Sequence, residues 1–237
     1  RNVSLGLHAT FTQGKPLSNT NMVSSLVNKN GQFLSYTELV KEAKRSTLIF
    51  DEIYSELREQ YIFLFNLIGN RLVFIDSHHG IHNKLAIFRK AFILLGKEFN
   101  IHAIRTRQFH YLEKFDNKIK IVEPGIFKIR QYGIKSVITN YYYKYVARQF
   151  SKVFNIPGGQ LANGKQNSET IFDKLLKFDV INEVDKTLYI VAHPAKSTKD
   201  LMDTNLKEER VEEYNSLKSE EFSNYVKKNP LESFNYI

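Results

Sequence analysis

Seven histidines are the residues in this 237-residue chain best suited to hold a metal ion or move a proton. Three of them crowd into Asp76–Ser77–His78–His79–Gly80–Ile81–His82. The chain has no cysteine, so thiolate ligands and disulfides are excluded, and any ion must be held by His, Asp, Glu or Asn. A strand end that runs into a helix start can turn His78 and His82 toward one space. Imidazole and carboxylate ligands suit Zn2+, Mn2+, Fe2+ or Ni2+, and an oxygen-rich shell suits Mg2+, so the residue types leave the ion open. The competing reading is a polar loop at a helix N-terminus, with Asp76 or Ser77 capping backbone amides. His8 and His193 favour the site, because each stands at the end of its own apolar run.

Those runs read as strands. Val3 to Phe11 is apolar and β-favouring and leads into the turn residues Gly14–Lys15–Pro16. Leu72–Val73–Phe74–Ile75 has the continuous apolar character of a buried parallel strand and delivers the histidine cluster at its end. Ile101 to Thr106 and Leu188 to Ala192 are two more, the first followed by arginines and the second by His193–Pro194. Between them the spacing predicts helices. Ser35 caps a region that starts near Tyr36, Phe50, Ile53, Leu57 and Tyr61 follow at helical intervals up to Gly69–Asn70, and a further helix runs from about 82 to 99. Helical patterns return at 142–154, 168–178, 206–217 and 219–228, before a short last strand at 233–237. Gln108 to Gly133 shows no clean period and reads as an irregular basic insertion of about 108–140. Strands alternating with helices predict an α/β fold with a mainly parallel sheet, open or closed into a distorted (β/α) barrel, in one domain spanning 1–237. Sites in such folds gather at the C-terminal strand ends, where His8, Asp76 to His82, Arg105 and His193 all fall.

Composition sets outer limits. A hydrophobic fraction of 42% with 25% charged residues is ordinary for a folded domain and excludes wholesale disorder. The longest apolar runs fall well short of the ~20 residues of a membrane helix. No leader peptide is evident, and a soluble intracellular compartment, cytoplasm or an organelle matrix, is expected. The formal charge of +9 draws anionic partners without choosing one. Between Arg105 and Arg148, lysines and arginines alternate with Tyr132 and Tyr141–Tyr142–Tyr143, a mixture that suits single-stranded nucleic acid, a sugar chain, or a solvated helix face over core aromatics.

The ordered set of motifs resembles the YdjC-like carbohydrate deacetylases, which include chitooligosaccharide deacetylases. Gly6–Leu7–His8–Ala9–Thr10–Phe11–Thr12–Gln13–Gly14–Lys15–Pro16 is similar to that family's early histidine segment, and Asp76 to His82 to its Asp-Ser-His-His-His-Val-His signature. Val191–Ala192–His193–Pro194–Ala195 resembles its His-Pro strand end, and Arg210–Val211–Glu212–Glu213–Tyr214 its Arg-x-x-Glu helix. The resemblance implies a distorted barrel and metal-dependent hydrolysis of the N-acetyl group of a sugar. It implies His8 and His78 as ligands of a divalent ion, Mg2+ or Zn2+, and Asp76 as supporting catalytic carboxylate. His193 would be the acid that protonates the leaving amine. His82, Arg105 and Arg210 would touch substrate or brace the site.

Two departures qualify it. Gly80 stands at the family's third histidine, and the family's first strand with its Asp-Asp pair has no counterpart here, so an N-terminal strand and helix unit is expected to be missing. The expected function is therefore a sugar N-deacetylase acting on an N-acetylated sugar or oligosaccharide, with a homo-oligomeric state allowed for and no membrane partner. The competing function is a catalytically degenerate structural or binding subunit, in a nucleic-acid or ribonucleoprotein assembly.

Overall fold

The computed structural model describes residues 5–107, 109–115, 118–123, 125–154, 159–161, 188–189, 192–201 and 207–228. These fall into two compact units, one within Arg1–Arg107 and Tyr142–Pro157 and the other within Gln108–Tyr141 and Gly158–Glu232.

The first unit is built on three parallel strands, β1 Leu5–Ala9, β2 Leu72–Ser77 and β3 Ala103–Ile104, in the order β1-β2-β3. Helices α1 Tyr36–Arg45 and α2 Phe50–Ile68 fill the first crossover, and α3 Ile81–Lys84 and α4 Ala86–Glu98 fill the second. Helix α1 starts where the sequence predicts. The Ser35 hydroxyl accepts from the Glu38 N–H, and the Glu38 carboxylate accepts from the Ser35 N–H at 2.9 Å, so two of the helix's orphan donors are satisfied reciprocally. Ile53, Leu57 and Tyr61 are the buried face of α2, which packs on α4 and β1. Together with Leu7, Ala9, Phe11, Ile75, Phe88, Phe92, Leu95 and Ile104 they form one core, which Val146, Phe150 and Phe154 complete. The single helix expected over 82–99 is two. It breaks at Leu85, whose backbone is extended at φ −109 and ψ 120.

In the second unit the chain departs from expectation. The segment read as irregular holds an antiparallel hairpin, β4 Phe109–Phe115 and β5 Lys118–Val122, with Leu112 opposite Ile121. Helix α5 runs over Ile129–Phe150, interrupted at Gly133, with its residues from Tyr142 onward belonging to the first unit, and so begins well before the predicted 142. Strands β6 Gly159–Leu161 and β7 Leu188–Tyr189 extend the hairpin into a sheet of order β5-β4-β6-β7. Helices α6 Glu208–Lys218 and α7 Glu220–Lys228 follow within two residues of their predicted bounds. The predicted helix at 168–178 and strand at 233–237 lie outside the described residues. No described helix is long and apolar enough to cross a membrane.

One close approach fixes how α4 meets the end of α5. A Cβ added at Gly96 would lie 2.2 Å from Cζ of Phe154, whose ring is buried beside Phe150. In an open helix, glycine to alanine gains about 1 kcal/mol of propensity. Here overpacking, typically about 1–3 kcal/mol, acts against it and wins at so short a distance. Gly96→Ala should lower the thermal midpoint by roughly 2–4 °C for each kcal/mol lost. A calorimetric scan showing a rise would mean that the helix tolerates the methyl group.

Candidate active site

Strand register sets the centre of the site. His8 pairs with Asp76, and Ile75 pairs with Ile104, so His8, Asp76 and Arg105 come to adjacent positions at the C-terminal ends of three neighbouring strands. Paired residues of neighbouring strands project to one face of a sheet. Asp76 is buried, and its two oxygens have different partners: Oδ1 takes Nδ1 of His8 at 2.5 Å and Oδ2 takes Nη2 of Arg105. Burial alone would push the Asp76 carboxyl up, but the His8 hydrogen bond and the Arg105 charge outweigh it and hold the carboxyl below its ordinary value. An ionised carboxylate only accepts, so Nδ1 of His8 carries the proton that faces Asp76. The His8 side chain is half exposed.

The histidine cluster separates into three environments. His78 lies edge-on to His8 with ring centroids 5.6 Å apart, and 4.0 Å from the ring of His79. His79 is exposed and left-handed, with φ 56 and ψ 4, a conformation that a non-glycine residue holds only when its surroundings impose it. The surroundings are visible: Thr12 Oγ1 lies 3.0 Å from Nδ1 of His79, and the Tyr36 ring packs on it at 5.1 Å. Burial, then the charges of Lys84, Arg107 and His8, push the His79 imidazole below its ordinary value. His82 is buried, with Nδ1 2.5 Å from Ser77 Oγ and Nε2 2.8 Å from the Arg105 carbonyl. Phe92 and Phe150 close over its ring, and burial pushes it down to about 4. His78 and His82 thus do not share an open space. His82 braces the backbone that carries Arg105 from the core side.

The loop after β1, which brings Thr12 to His79, is fastened by α2. Buried Glu56 accepts from the backbone N–H groups of Leu17 and Ser18 at 3.1 and 2.9 Å, and from Gln60 at 2.8 Å. Gln60 in turn pairs with both backbone groups of Thr10. Glu52, one turn earlier, takes the Ser25 N–H at 2.7 Å. Of the aromatic run, Tyr143 is buried, and Tyr142 donates to the carbonyls of Asn83 and Lys84, so both are structural.

The remaining candidates lie in the second unit. His193 is exposed beyond β7, and its backbone N–H donates to Glu213 at 2.6 Å. The Arg210 carbonyl accepts from the Ala195 N–H at 2.9 Å, which ties the His193–Pro194 segment to α6. Both second-unit motifs of the sequence, His193–Pro194 and Arg210 to Tyr214, thus meet each other. As a metal centre the described residues fall short. They contain no group of three His, Asp or Glu side chains able to hold an ion, and both oxygens of Asp76 are engaged.

The family model described as YdjC-like protein matches residues 1–228. The chain belongs to the YdjC-like family. Among curated family relatives, a carbohydrate deacetylase of Clostridium beijerinckii is 32% identical over 117 residues, covering 48% of this chain and 43% of that protein. One from Danio rerio is 31% identical over 102 residues, 43% and 32% respectively. A chitooligosaccharide deacetylase of Proteus mirabilis is 32% identical over 115 residues, 48% and 42%. The chain therefore spans less than half the length of these relatives. A solved Enterococcus faecalis protein named for cellobiose-phosphate cleavage superposes with a TM-score of 0.68 at 21% identity, over 98% of this chain and 76% of that one. That likeness shows a shared α/β fold.

Within a YdjC-like frame, sequence reasoning missed Thr12, Tyr36, Lys84 and Arg107 around His79. Position 80, where the family signature carries histidine and this chain carries Gly80, was the one signal that the neighbourhood had changed.

Two buried groups make the pH dependence of stability calculable in sign. Unfolded His82 takes its proton near 6.5 and folded His82 near 4, so as pH falls through that window the unfolded state binds the proton first and stability drops. The full loss is about 3 kcal/mol. Asp76, held below 3.8 in the fold, contributes stability above 3.8 that is lost only as pH falls through its lowered folded value. Thermal midpoints measured from pH 7.5 to 3.5 should therefore decline from about pH 6.5. His82→Gln should start lower at neutral pH but lack that decline, and an unchanged slope in the variant would remove His82 as its cause.

Proposed function

We propose that this chain takes part in hydrolytic removal of acetyl groups from N-acetylated sugars or oligosaccharides, as a carbohydrate N-deacetylase. The observation that carries the reading is the His8–Asp76–Arg105 row with His78 beside it at the C-terminal strand ends, together with relatives named carbohydrate deacetylase. The sequential order β1-β2-β3 with helices in both crossovers supports the barrel form of the fold. Successive right-handed crossovers that never reverse direction wind a sheet toward closure.

In this reading His8 and His78 are two imidazole donors toward a divalent ion, Mg2+ or Zn2+, and a catalytic centre usually takes three protein ligands. The described residues do not complete such a centre. What the residues themselves do is narrower. Asp76 keeps the proton of His8 on Nδ1, Arg105 keeps Asp76 ionised, and His82 holds Arg105 from behind. His193 is assigned the proton donor to the leaving amine, and Arg210 a bracing role, on their family motifs. The absence of a third ligand among the described residues, with Gly80 in place of histidine, favours one alternative, a catalytically degenerate binding subunit.

Acetate release from N-acetylglucosamine oligomers, with metal content assayed in parallel, separates these readings. His193→Asn should slow release by roughly 10²- to 10⁴-fold with metal content unchanged. His78→Ala should abolish stoichiometric metal binding. Equal rates in His193→Asn would take that residue out of the reaction. No release by the unaltered chain on any acetylated sugar would favour the subunit reading.

A further inference from the structure

We propose that the chain docks on an anionic phospholipid surface through the first half of α5 and the turn before it, Ile126 to Tyr141. This stretch belongs to the second unit, and none of the strand-end histidines takes part. Ile134, Ile138 and Tyr141 stand at i, i+4 and i+7, so they form one stripe along the helix, and they are 62%, 61% and 53% exposed. Val137 and Asn140, each one residue before the last two, are buried, so the helix is packed along one side and bare along the next. In the turn Ile126–Lys128 that precedes it, Ile126 is exposed and Phe127 fully so. Single exposed apolar residues are ordinary on a surface, but five within one short stretch, three of them in helical register, are a patch.

Charge selects the partner. Between Glu123 and Glu169 the sequence holds seven lysines and arginines and neither aspartate nor glutamate. Arg130 and Lys135, within the apolar stretch, are exposed, and among the described residues neither forms an ion pair. A helix that lies in the headgroup layer needs this combination, apolar side chains that enter the acyl boundary and cations that meet acidic lipids. Tyr141, with an apolar ring and a polar tip, suits the same boundary. A second copy of the chain would set these cations against their own kind. Single-stranded nucleic acid stacks on aromatic faces, which Ile126, Ile134 and Ile138 lack. An acidic protein would need a shape to fit, whereas Phe127, fully exposed, projects as a wedge that a fluid layer accommodates. The expectation of no membrane partner rests on the length of apolar runs, a criterion for helices that cross a bilayer and not for helices that lie on one.

The chain has no tryptophan, so Phe127→Trp gives a reporter whose emission belongs to this surface alone. The full chain is sedimented with vesicles of phosphatidylcholine, with and without phosphatidylglycerol, and the reporter's emission is followed in both. At about five-fold per cation, Lys128, Arg130 and Lys135 together should favour the anionic vesicles by roughly 100-fold, a preference that shrinks as salt rises. The tryptophan emission should shift to the blue on the anionic vesicles. Ile138→Ser should weaken binding by roughly 10-fold and Lys135→Gln by roughly five-fold. Lys44→Gln, an equal change of net charge on α1, should leave binding unchanged. All three positions are exposed, and circular dichroism confirms the fold of each variant. No sedimentation with anionic vesicles, no blue shift, or equal losses from Lys135→Gln and Lys44→Gln each overturns the proposal. So does a shift given by single-stranded RNA and not by vesicles, or a dimer that Ile138→Ser dissolves while vesicle binding stays intact. Acetate release is read at no point, so either outcome leaves the deacetylase reading untouched.

Discussion

The carboxylate of Asp76 is buried, charged and shared between two strands other than its own, and most of the first unit follows from what that demands. A buried carboxylate without partners carries a desolvation cost of several kcal/mol, and removing one partner of such a group typically costs about 3–5 kcal/mol. His8 and Arg105 can both reach it only when β1, β2 and β3 hold their observed register, because a slip of one residue sends a side chain to the opposite face. The ionic row and the sheet register are therefore one constraint. Charge forbids the slip, and the apolar residues Leu7, Ile75 and Ile104, facing the core from the same strands, forbid it again.

Around this row the protein uses buried polar groups as fasteners. Glu56 and Gln60 hold the loop after β1 by its backbone, and Glu52 holds the next segment, so α2 carries at i, i+4 and i+8 a polar stripe beside its apolar one. Loops over a sheet's C-terminal edge have few backbone partners of their own, and side-chain acceptors from a neighbouring helix supply them. This is how Thr12 comes to stand against His79, and why the strained backbone of His79 persists.

Strands β1 and β2, the Ser35 capping box and the inner face of α2 were legible because each is written in local periodicity or in a three-residue spacing. The polar stripe of α2 was not, since Glu52, Glu56 and Gln60 read as ordinary solvent-facing residues until the loop they hold is known. The hairpin at 109–122 hid behind its charges: Lys118–Ile119–Lys120–Ile121 does alternate, but the lysines and the aromatics of β4 pointed to an irregular insertion. His8, Asp76, His78 and Arg105 were legible as strand-end residues, and the parallel sheet brings them together as that rule implies. The separation of His82 from His78 was not legible in the spacing, because burial is a tertiary fact and a histidine four residues from another on a helix would ordinarily share its face, whereas the family resemblance had allowed it a bracing role.

That last difference has one local origin. His79 and Gly80 are consecutive left-handed residues, so the chain leaves β2, reverses, and enters α3 at a new angle. A helix begun directly at His78 would have placed His78 and His82 one turn apart on a single face. The reversal instead leaves His78 and His79 at the strand ends and turns His82 inward onto Phe92 and Phe150. Left-handed backbone costs roughly 1–2 kcal/mol at a non-glycine residue and little at glycine. The two positions are thus not equivalent. His79 must be held by Thr12 and Tyr36, whereas Gly80 holds itself and leaves its side-chain volume to Arg107. The same reversal that divides the histidines into an outer pair and a buried brace also opens the space in which this chain differs from the family signature.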